Sequence, residues 1–170
     1  IKDSIGRRWQ CSTVQVDFNL PERFDATFRN QEGKEERVVM VHRALLGSIE
    51  RFFGILVEHY AGAFPMWLAP VQAVVLPITD RQNPYAEEVV AQLKAAGLRV
   101  EMRGENEKIG AKIRAATMDK VPYMLVVGDQ ELAAKTVAVR SRSGKDLGVM
   151  PVDQFCKLAT DEAASRAPQA

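Results

Sequence analysis

Val71-Gln-Ala-Val-Val-Leu-Pro77 is followed by Ile78-Thr-Asp-Arg-Gln-Asn83 and then by Pro84-Tyr-Ala-Glu-Glu-Val-Val-Ala-Gln-Leu-Lys-Ala-Ala96. A short apolar run bounded by turn residues reads as a buried strand. The longer segment, with Asn83 as a cap and Pro84 at the first helical position, reads as a helix. Gly97 ends that helix, and the pattern repeats: strand Leu98–Met102, a helix from about Lys108 to Asp119, then strand Tyr123–Val127. Gly128-Asp129 reads as a turn, Thr136–Arg140 as a strand followed by a Ser-Gly-Lys-Asp turn, and Val152 to about Ser165 as a last helix. Strands separated by helices of this length predict an α/β fold with a mostly parallel sheet. Thr136–Arg140 is expected to pair antiparallel at an edge, and the tail Ala167-Pro-Gln-Ala170 to be loose.

Upstream the periodicity differs. From Trp9 to Leu20 residues alternate as in a strand, with Val14, Val16 and Phe18 on one face and Thr13, Gln15 and Asp17 on the other. Asn19-Leu-Pro-Glu-Arg23 breaks it, a short strand follows around Ala26–Arg29, Asn30-Gln-Glu-Gly-Lys34 reads as a turn, and Glu36–Val41 as a third strand. Three short strands joined by turns predict an antiparallel sheet. From His42 to Tyr60, Leu45, Leu46, Ile49, Phe52, Phe53 and Leu56 recur at helical spacing. Gly47 and Gly54 fall inside that run, where each costs about 1 kcal/mol against Ala, so they read as packing glycines or as places where backbone approaches a ligand. Pro65 cannot continue the helix. Trp67-Leu-Ala-Pro70 then forms a compact linker, which divides the chain into residues 1–68 and 69–170.

Composition limits the function classes. Apolar residues are 46% and charged residues 26% of 170, which suits a globular protein with a real core. The longest apolar stretches, Val71–Leu76 and Met124–Val127, fall far short of the roughly 20 residues of a membrane span. The first residues, Ile1-Lys-Asp-Ser4, carry no initiator Met, signal core or transit pattern, so the chain reads as the middle of a longer one. Cys11 and Cys156, neither in a CxxC, argue against a disulfide framework and for a reducing cytoplasm. Net charge is only +1, but residues 106–150 carry eight basic side chains against five acidic ones. By itself that excess reads more often as an ordinary solvated surface than as a phosphate track.

Two stretches go beyond class: Trp9-Gln-Cys-Ser-Thr-Val-Gln-Val-Asp-Phe18 and Val41-His-Arg-Ala-Leu-Leu-Gly-Ser-Ile-Glu-Arg-Phe52. Together they resemble the C-terminal part of the threonyl-tRNA synthetase catalytic domain, the second including class II motif 3. Asn106-Glu-Lys-Ile-Gly110, Val121-Pro-Tyr-Met-Leu-Val-Val-Gly-Asp129 and Arg140 to Gly148 resemble the anticodon-binding domain of the same family. The resemblance implies a partial antiparallel class II core over 1–68, then an anticodon-binding domain over 69–170 with a mixed, mostly parallel sheet flanked by helices. It implies a threonine–tRNA ligase acting through threonyl-adenylate, with ATP, Mg²⁺ and Zn²⁺ as cofactors and threonine, ATP and threonine tRNA as partners. The full-length family is a homodimer whose interface lies largely upstream. Motifs 1 and 2 are absent here, so the chain alone is expected to be inactive.

The resemblance also assigns residues. Arg51 becomes the motif 3 arginine on the nucleotide, a role suited to a permanently charged, forked and flat guanidinium; read alone, it is a helix arginine covering apolar surface. Ser48 goes to the nucleotide, or is a small residue permitting close packing. His42 becomes one protein ligand of a zinc that grips the amino and hydroxyl groups of threonine, a site able to reject valine as no apolar pocket can. The other two ligands lie upstream in the family, and Cys11 is not one of them. Gln10 and Gln15 go to threonine and the adenylate, where amides donate and accept at once; read alone they are solvent-facing. Ser12 stands where the family usually has glycine. Asn106, Arg114, Glu131 and Arg140 become readers of anticodon bases, with Lys108 nearby, because splayed loop bases expose edges that such side chains can pair with.

Two rival classes are a non-enzymatic tRNA-binding module and a flavodoxin-like nucleotide-binding domain. Against the second, Thr79-Asp-Arg-Gln-Asn-Pro84 stands where a glycine-rich phosphate loop belongs.

Overall fold

A computed structural model describes residues 1–166, in two compact units: Ile1–Tyr60 and a second beginning at Ala61. The expected tail Ala167–Ala170 lies outside the described residues.

The first unit opens with a tight hairpin closed by the Lys2–Arg8 bridge. Strand β1 (Thr13–Asp17) leads into a short helix α1 (Asn19–Arg23), where a simple break was expected. Asp17 Oδ1 accepts the backbone N–H groups of Asn19 and Leu20 at 2.8 and 3.1 Å, satisfying helix donors that have no partner within the helix. Strands β2 (Thr27–Arg29) and β3 (Glu35–Arg37) form one antiparallel pair, and β1 with β4 (Met40–Ala44) another. The single three-stranded sheet of the sequence reading is therefore two separate ladders.

The helix expected from His42 begins seven residues later: α2 is Ile49–Tyr60, and His42 lies mid-strand in β4 opposite Gln15. The apolar spacing was real, but Leu45 and Leu46 belong to the bend before the helix. Gly47 is also outside it, at φ +68, where a Cβ would stand 2.9 Å from the Cys11 carbonyl oxygen. Gly54 is helical with open space where a Cβ would go, so it is not a packing glycine. Among the described residues of this unit only Asp3, Cys11 and Pro21 are buried. Val14, Val16, Phe18, Val41, Ile49 and Phe53 are each more than half exposed.

The second unit holds a five-stranded mixed sheet in the order β6-β5-β7-β8-β9. β5 (Ala73–Pro77) pairs parallel with β6 (Val100–Met102) and with β7 (Tyr123–Val127), the crossovers being α3 (Asn83–Ala95) and α4 (Ile109–Met118). Helix α5 (Asp129–Ala134) then leads to β8 (Thr136–Ser141), which runs antiparallel to both β7 and β9 (Asp146–Pro151), and α6 (Val152–Ser165) ends the fold. Thr136–Arg140 thus pairs antiparallel as expected but is internal; β9, read from the sequence as turn and helix approach, is the edge. Asn83 is the first residue of α3, not its cap, which is Gln82.

The odd-numbered residues of β5 and β7 (Ala73, Val75, Leu125, Val127) pack with α3 and α6 through Leu93, Phe155 and Ala159. The even-numbered Val74, Leu76 and Met124 pack beneath α4 through Ala116 and Ile113. Tyr123 meets Phe155 edge-on at 5.5 Å, and its hydroxyl donates to Glu162 at 2.5 Å; burial and that carboxylate push the phenol pKa up. Residues 61–70 are stitched to this sheet. Arg142 donates to the Phe64 and Ala63 carbonyls at 2.7 and 3.0 Å, Arg99 to those of Ala69 and Trp67, and Gln72 to that of Met66.

Candidate functional site

In the first unit the polar face of β1 meets β4. Gln15 pairs with His42 and Asp17 with Met40, so Gln15, His42 and Asp17 share one side of the ladder. They line a depression of about 500 Å³ with Val16, Phe18 and Asn19. His42 Nε2 lies 3.0 Å from Asp17 Oδ2. The Asp17 pKa is held low by the Leu20 backbone N–H first and by His42 second. When Nε2 donates to that carboxylate, Nδ1 keeps its lone pair, the arrangement of metal-binding histidines backed by an acid. Among the described residues no three metal-binding side chains cluster, so His42 with Asp17 does not by itself make a metal site. Alternation already put Asp17 beside Gln15; its partnership with His42 required the β1–β4 register.

Gln10 is not in that depression; it borders a second one with Trp9, Arg8, Lys2 and Ile1. The Arg51 guanidinium lies over the Trp9 ring, 5.5 Å from its centroid, and Arg7 also lies over it, at 5.4 Å. Trp9 is fixed in turn by its indole N–H, which donates to Asp3 at 2.8 Å. Arg51 has no carboxylate partner among the described residues. Ser48 acts locally. Its hydroxyl accepts the Arg51 backbone N–H at 3.3 Å and donates to Glu50 at 2.8 Å, capping α2.

Asp3 is 7% exposed, and its carboxylate accepts from the Trp9 indole, from the Arg7 side chain at 2.6 Å and from the Arg7 backbone N–H at 2.8 Å. Led by the Trp9 hydrogen bond, these contacts lower its pKa to about 2. A carboxylate held below its unfolded value of about 3.9 stabilises at higher pH and loses that contribution as pH falls through the folded value. In a Trp67→Phe background, Trp9 emission is therefore expected to report opening of the hairpin between pH about 4 and about 2. Asp3→Asn should show the acid form's emission at neutral pH; an unchanged emission would refute the anchoring.

In the second unit, β5 lies between β6 and β7, so the chain reverses its winding there. Crevices at such a switch point open beyond the carboxyl ends of the strands. Asn106 and Lys108 are exposed at this end, before and at the cap of α4. Glu131, expected in a loop, is the third residue of α5; half-buried, it accepts the Gly128 backbone N–H at 2.9 Å. The six-residue α5 has no apolar period to reveal it. Arg140 pairs with Met124, on the face that carries α4, and lines a hollow of about 400 Å³ with Ile113, Thr117 and Arg142. Arg114 is exposed on α4 beside Ile113. Asn106, Lys108 and Glu131 thus gather at one end of the sheet, with Arg140 on β8 opposite Met124, three residues back from the end of β7.

The basic excess separates by role. Lys112 is 3% exposed and donates to the Pro77 carbonyl at 2.9 Å, Arg142 and Lys120 hold backbone carbonyls, and Lys135 pairs with Glu88. Lys108, Arg114, Arg140 and Lys145 have no carboxylate partner among the described residues. The sequence had not distinguished Lys112 from these; its place at i+4 before the buried Ala116 was the available sign.

The family model of the anticodon binding domain matches residues 72–162. The chain belongs to this family. The class II tRNA synthetase core model (G, H, P, S and T) matches residues 1–60, ahead of the anticodon-binding domain. Among sequence relatives, the threonine–tRNA ligase of Magnetococcus marinus is 64% identical over 98% of this chain and 26% of its own length. That of Symbiobacterium thermophilum is 60% identical over the same shares. The chain spans roughly a quarter of these relatives. The crystal structure of the RNA binding domain of threonyl-tRNA synthetase from Cryptosporidium parvum Iowa II superposes with a TM-score of 0.85 and 36% identity, covering 95% of this chain and 41% of that one. Prolyl-tRNA synthetase from Cryptosporidium parvum shares the fold, with a TM-score of 0.65 at 22% identity over 92% of this chain and 34% of that one. The expectation of a synthetase core followed by an anticodon-binding domain is met. No described helix is long and apolar enough to cross a membrane.

Proposed function

We propose that the chain is the carboxyl-terminal part of a threonine–tRNA ligase, which attaches threonine to its tRNA through threonyl-adenylate at the expense of ATP. The observation that carries this is the 64% identity to a threonine–tRNA ligase running across both units. On this reading the passage from catalytic core to anticodon domain lies between residue 60, where the core model and the first compact unit end, and the division expected at residue 68. Arg51 takes the nucleotide, with Ser48 shaping the helix start that presents it. Gln15 and Gln10 approach threonine and the adenylate from two separate depressions. His42 supplies one nitrogen to a zinc ion that would recognise the threonine hydroxyl, with Asp17 orienting the ring; the remaining donors, and the groups that hold Mg²⁺, come from outside this chain. The complete enzyme works as a cytoplasmic homodimer.

The anticodon reading rests on Asn106, Lys108, Arg114, Glu131 and Arg140. It is supported by the four cations without a carboxylate partner among the described residues and by the placing of Arg140 on the α4 face of the sheet. It is tested by titrating the chain with a tRNA carrying a threonine anticodon and with one altered only there, at two salt concentrations. The threonine anticodon should bind at least about tenfold more tightly, and Arg140→Ala should remove most of that preference, because a bidentate contact to a base edge contributes about 1–3 kcal/mol. Equal, salt-sensitive binding of both tRNAs would leave only a basic surface and defeat the assignment. A non-enzymatic tRNA-binding module is the second reading, favoured by one observation: the second unit has its own core and the first does not.

A further inference from the structure

Arg51 is the third residue of α2, and a cation in the first turn of a helix lies at the positive end of the macrodipole. The helix is not stabilised by that charge, so the reason for it lies elsewhere. What holds the side chain is the Trp9 ring, whose centroid is 5.5 Å from the guanidinium carbon. A carboxylate would take the N–H fork and cancel the charge, whereas an indole attracts a guanidinium through its π-face and leaves the N–H donors free. Arg7 shows the other arrangement on the same ring: it lies over Trp9 at 5.4 Å, but its side chain also donates to Asp3 at 2.6 Å. The buried Asp3 carboxylate is taken by Arg7 and by the Trp9 indole N–H. Of two arginines on one ring, one is neutralised and the other is held with its charge intact. The ring itself is fixed at both ends, since the half-buried Trp9 also donates its backbone N–H to the Ile1 carbonyl at 2.8 Å.

We infer that Trp9 is a positioning residue for nucleotide binding, its ring pre-setting the Arg51 guanidinium so that the N–H fork is presented to the nucleotide. A free arginine on a helix surface samples many rotamers, and ordering it weakens affinity at the moment of binding. A guanidinium already resting on a fixed ring has less freedom to lose. The inference rests on the assignment of Arg51 to the nucleotide and adds to it a residue that acts only through the Arg51 side chain.

The test is a double-substitution cycle in a complete ligase made by joining this chain to the rest of the Magnetococcus marinus relative. It is read as the Kd for ATP without threonine and as kcat/KM for ATP in pyrophosphate exchange. Trp9→Leu removes the ring and is expected to weaken ATP binding and lower kcat/KM about tenfold each. Trp9→Phe keeps a poorer π-face and should recover part of that loss. In an Arg51→Ala background, Trp9→Leu should change either quantity by less than about twofold, because the ring then has nothing to position. A structural role, or action through the adjacent Gln10, would show its full effect in both backgrounds, so a loss of about tenfold that persists without Arg51 overturns the inference. A Trp9→Leu enzyme that binds ATP as the parent does also overturns it. If Trp9→Leu does not fold, Trp9→Phe carries the same cycle, with an expected loss of about threefold. If Arg51→Ala alone leaves ATP binding unchanged, the assignment of Arg51 falls and the inference with it.

Discussion

Phe155→Ala is expected to remove about 3–5 kcal/mol from the second unit, the largest single loss the structure suggests. Phe155 is fully buried in the cluster that α6 makes with the odd-numbered face of the sheet, edge-on to Tyr123. The ring is held on several sides: Val137 and Val139 come from β8, and Tyr123 is tied to the same helix through Glu162. Neighbours fixed in this way cannot collapse into the space a deleted ring leaves, so a cavity term adds to the lost transfer energy. Against a typical domain stability of about 5–15 kcal/mol, most of the margin is at stake. Urea unfolding followed by far-UV dichroism measures it as a drop in midpoint. A change below about 1 kcal/mol would mean that α6 does not close a rigid core. RNA affinity should fall only with the folded fraction, since Phe155 lies on the face opposite Arg140.

The second large effect concerns Arg51. In a complete ligase made by joining this chain to the rest of the Magnetococcus marinus relative, Arg51→Ala is expected to lower kcat/KM for ATP on the order of a hundredfold, equivalent to about 2.7 kcal/mol. The argument is local. Arg51 is exposed, stacked over Trp9, and without a carboxylate partner among the described residues, so its charge is available to an anionic ligand. Arg51→Lys should recover only part of the loss, because an ammonium keeps the charge without the fork or the flat face. The preference for a threonine anticodon should be unaffected. Loss of that preference together with ATP affinity would point to general misfolding, and an unchanged kcat/KM would remove Arg51 from the nucleotide site.

Much of the second unit was legible because its periods are long and its punctuation strong. Val71–Pro77, Pro84–Ala96 and Tyr123–Val127 each fell close to the element found. The failures were short or locally ambiguous. Helix α5 is six residues with no room for an apolar period, and β9 carries Gly148 at φ +82, opposite a register shift in β8. In the first unit, apolar residues at three- and four-residue steps predicted helix through Leu45 and Leu46, yet β4 pairing with β1 took the chain from Met40 to Ala44. Tertiary pairing overrode periodicity there. Of the candidate sites, residue types were readable but neighbours were not. That Asp17 supports His42, that Trp9 carries Arg51, and that Lys112 is inside depends on register and burial that no linear spacing encodes.

Gly47 has a further meaning at the level of the gene. Its backbone is left-handed, and the atom nearest any added Cβ is a carbonyl of the neighbouring chain segment, which cannot swing aside as a side chain can. Every missense change of a glycine codon introduces a Cβ, so at this position only the synonymous changes avoid the clash. Seven residues on, Gly54 has open space around it, and its codon can drift to alanine without steric penalty. Inheritance should therefore treat these two glycines differently, holding the first in place and leaving the second free to vary.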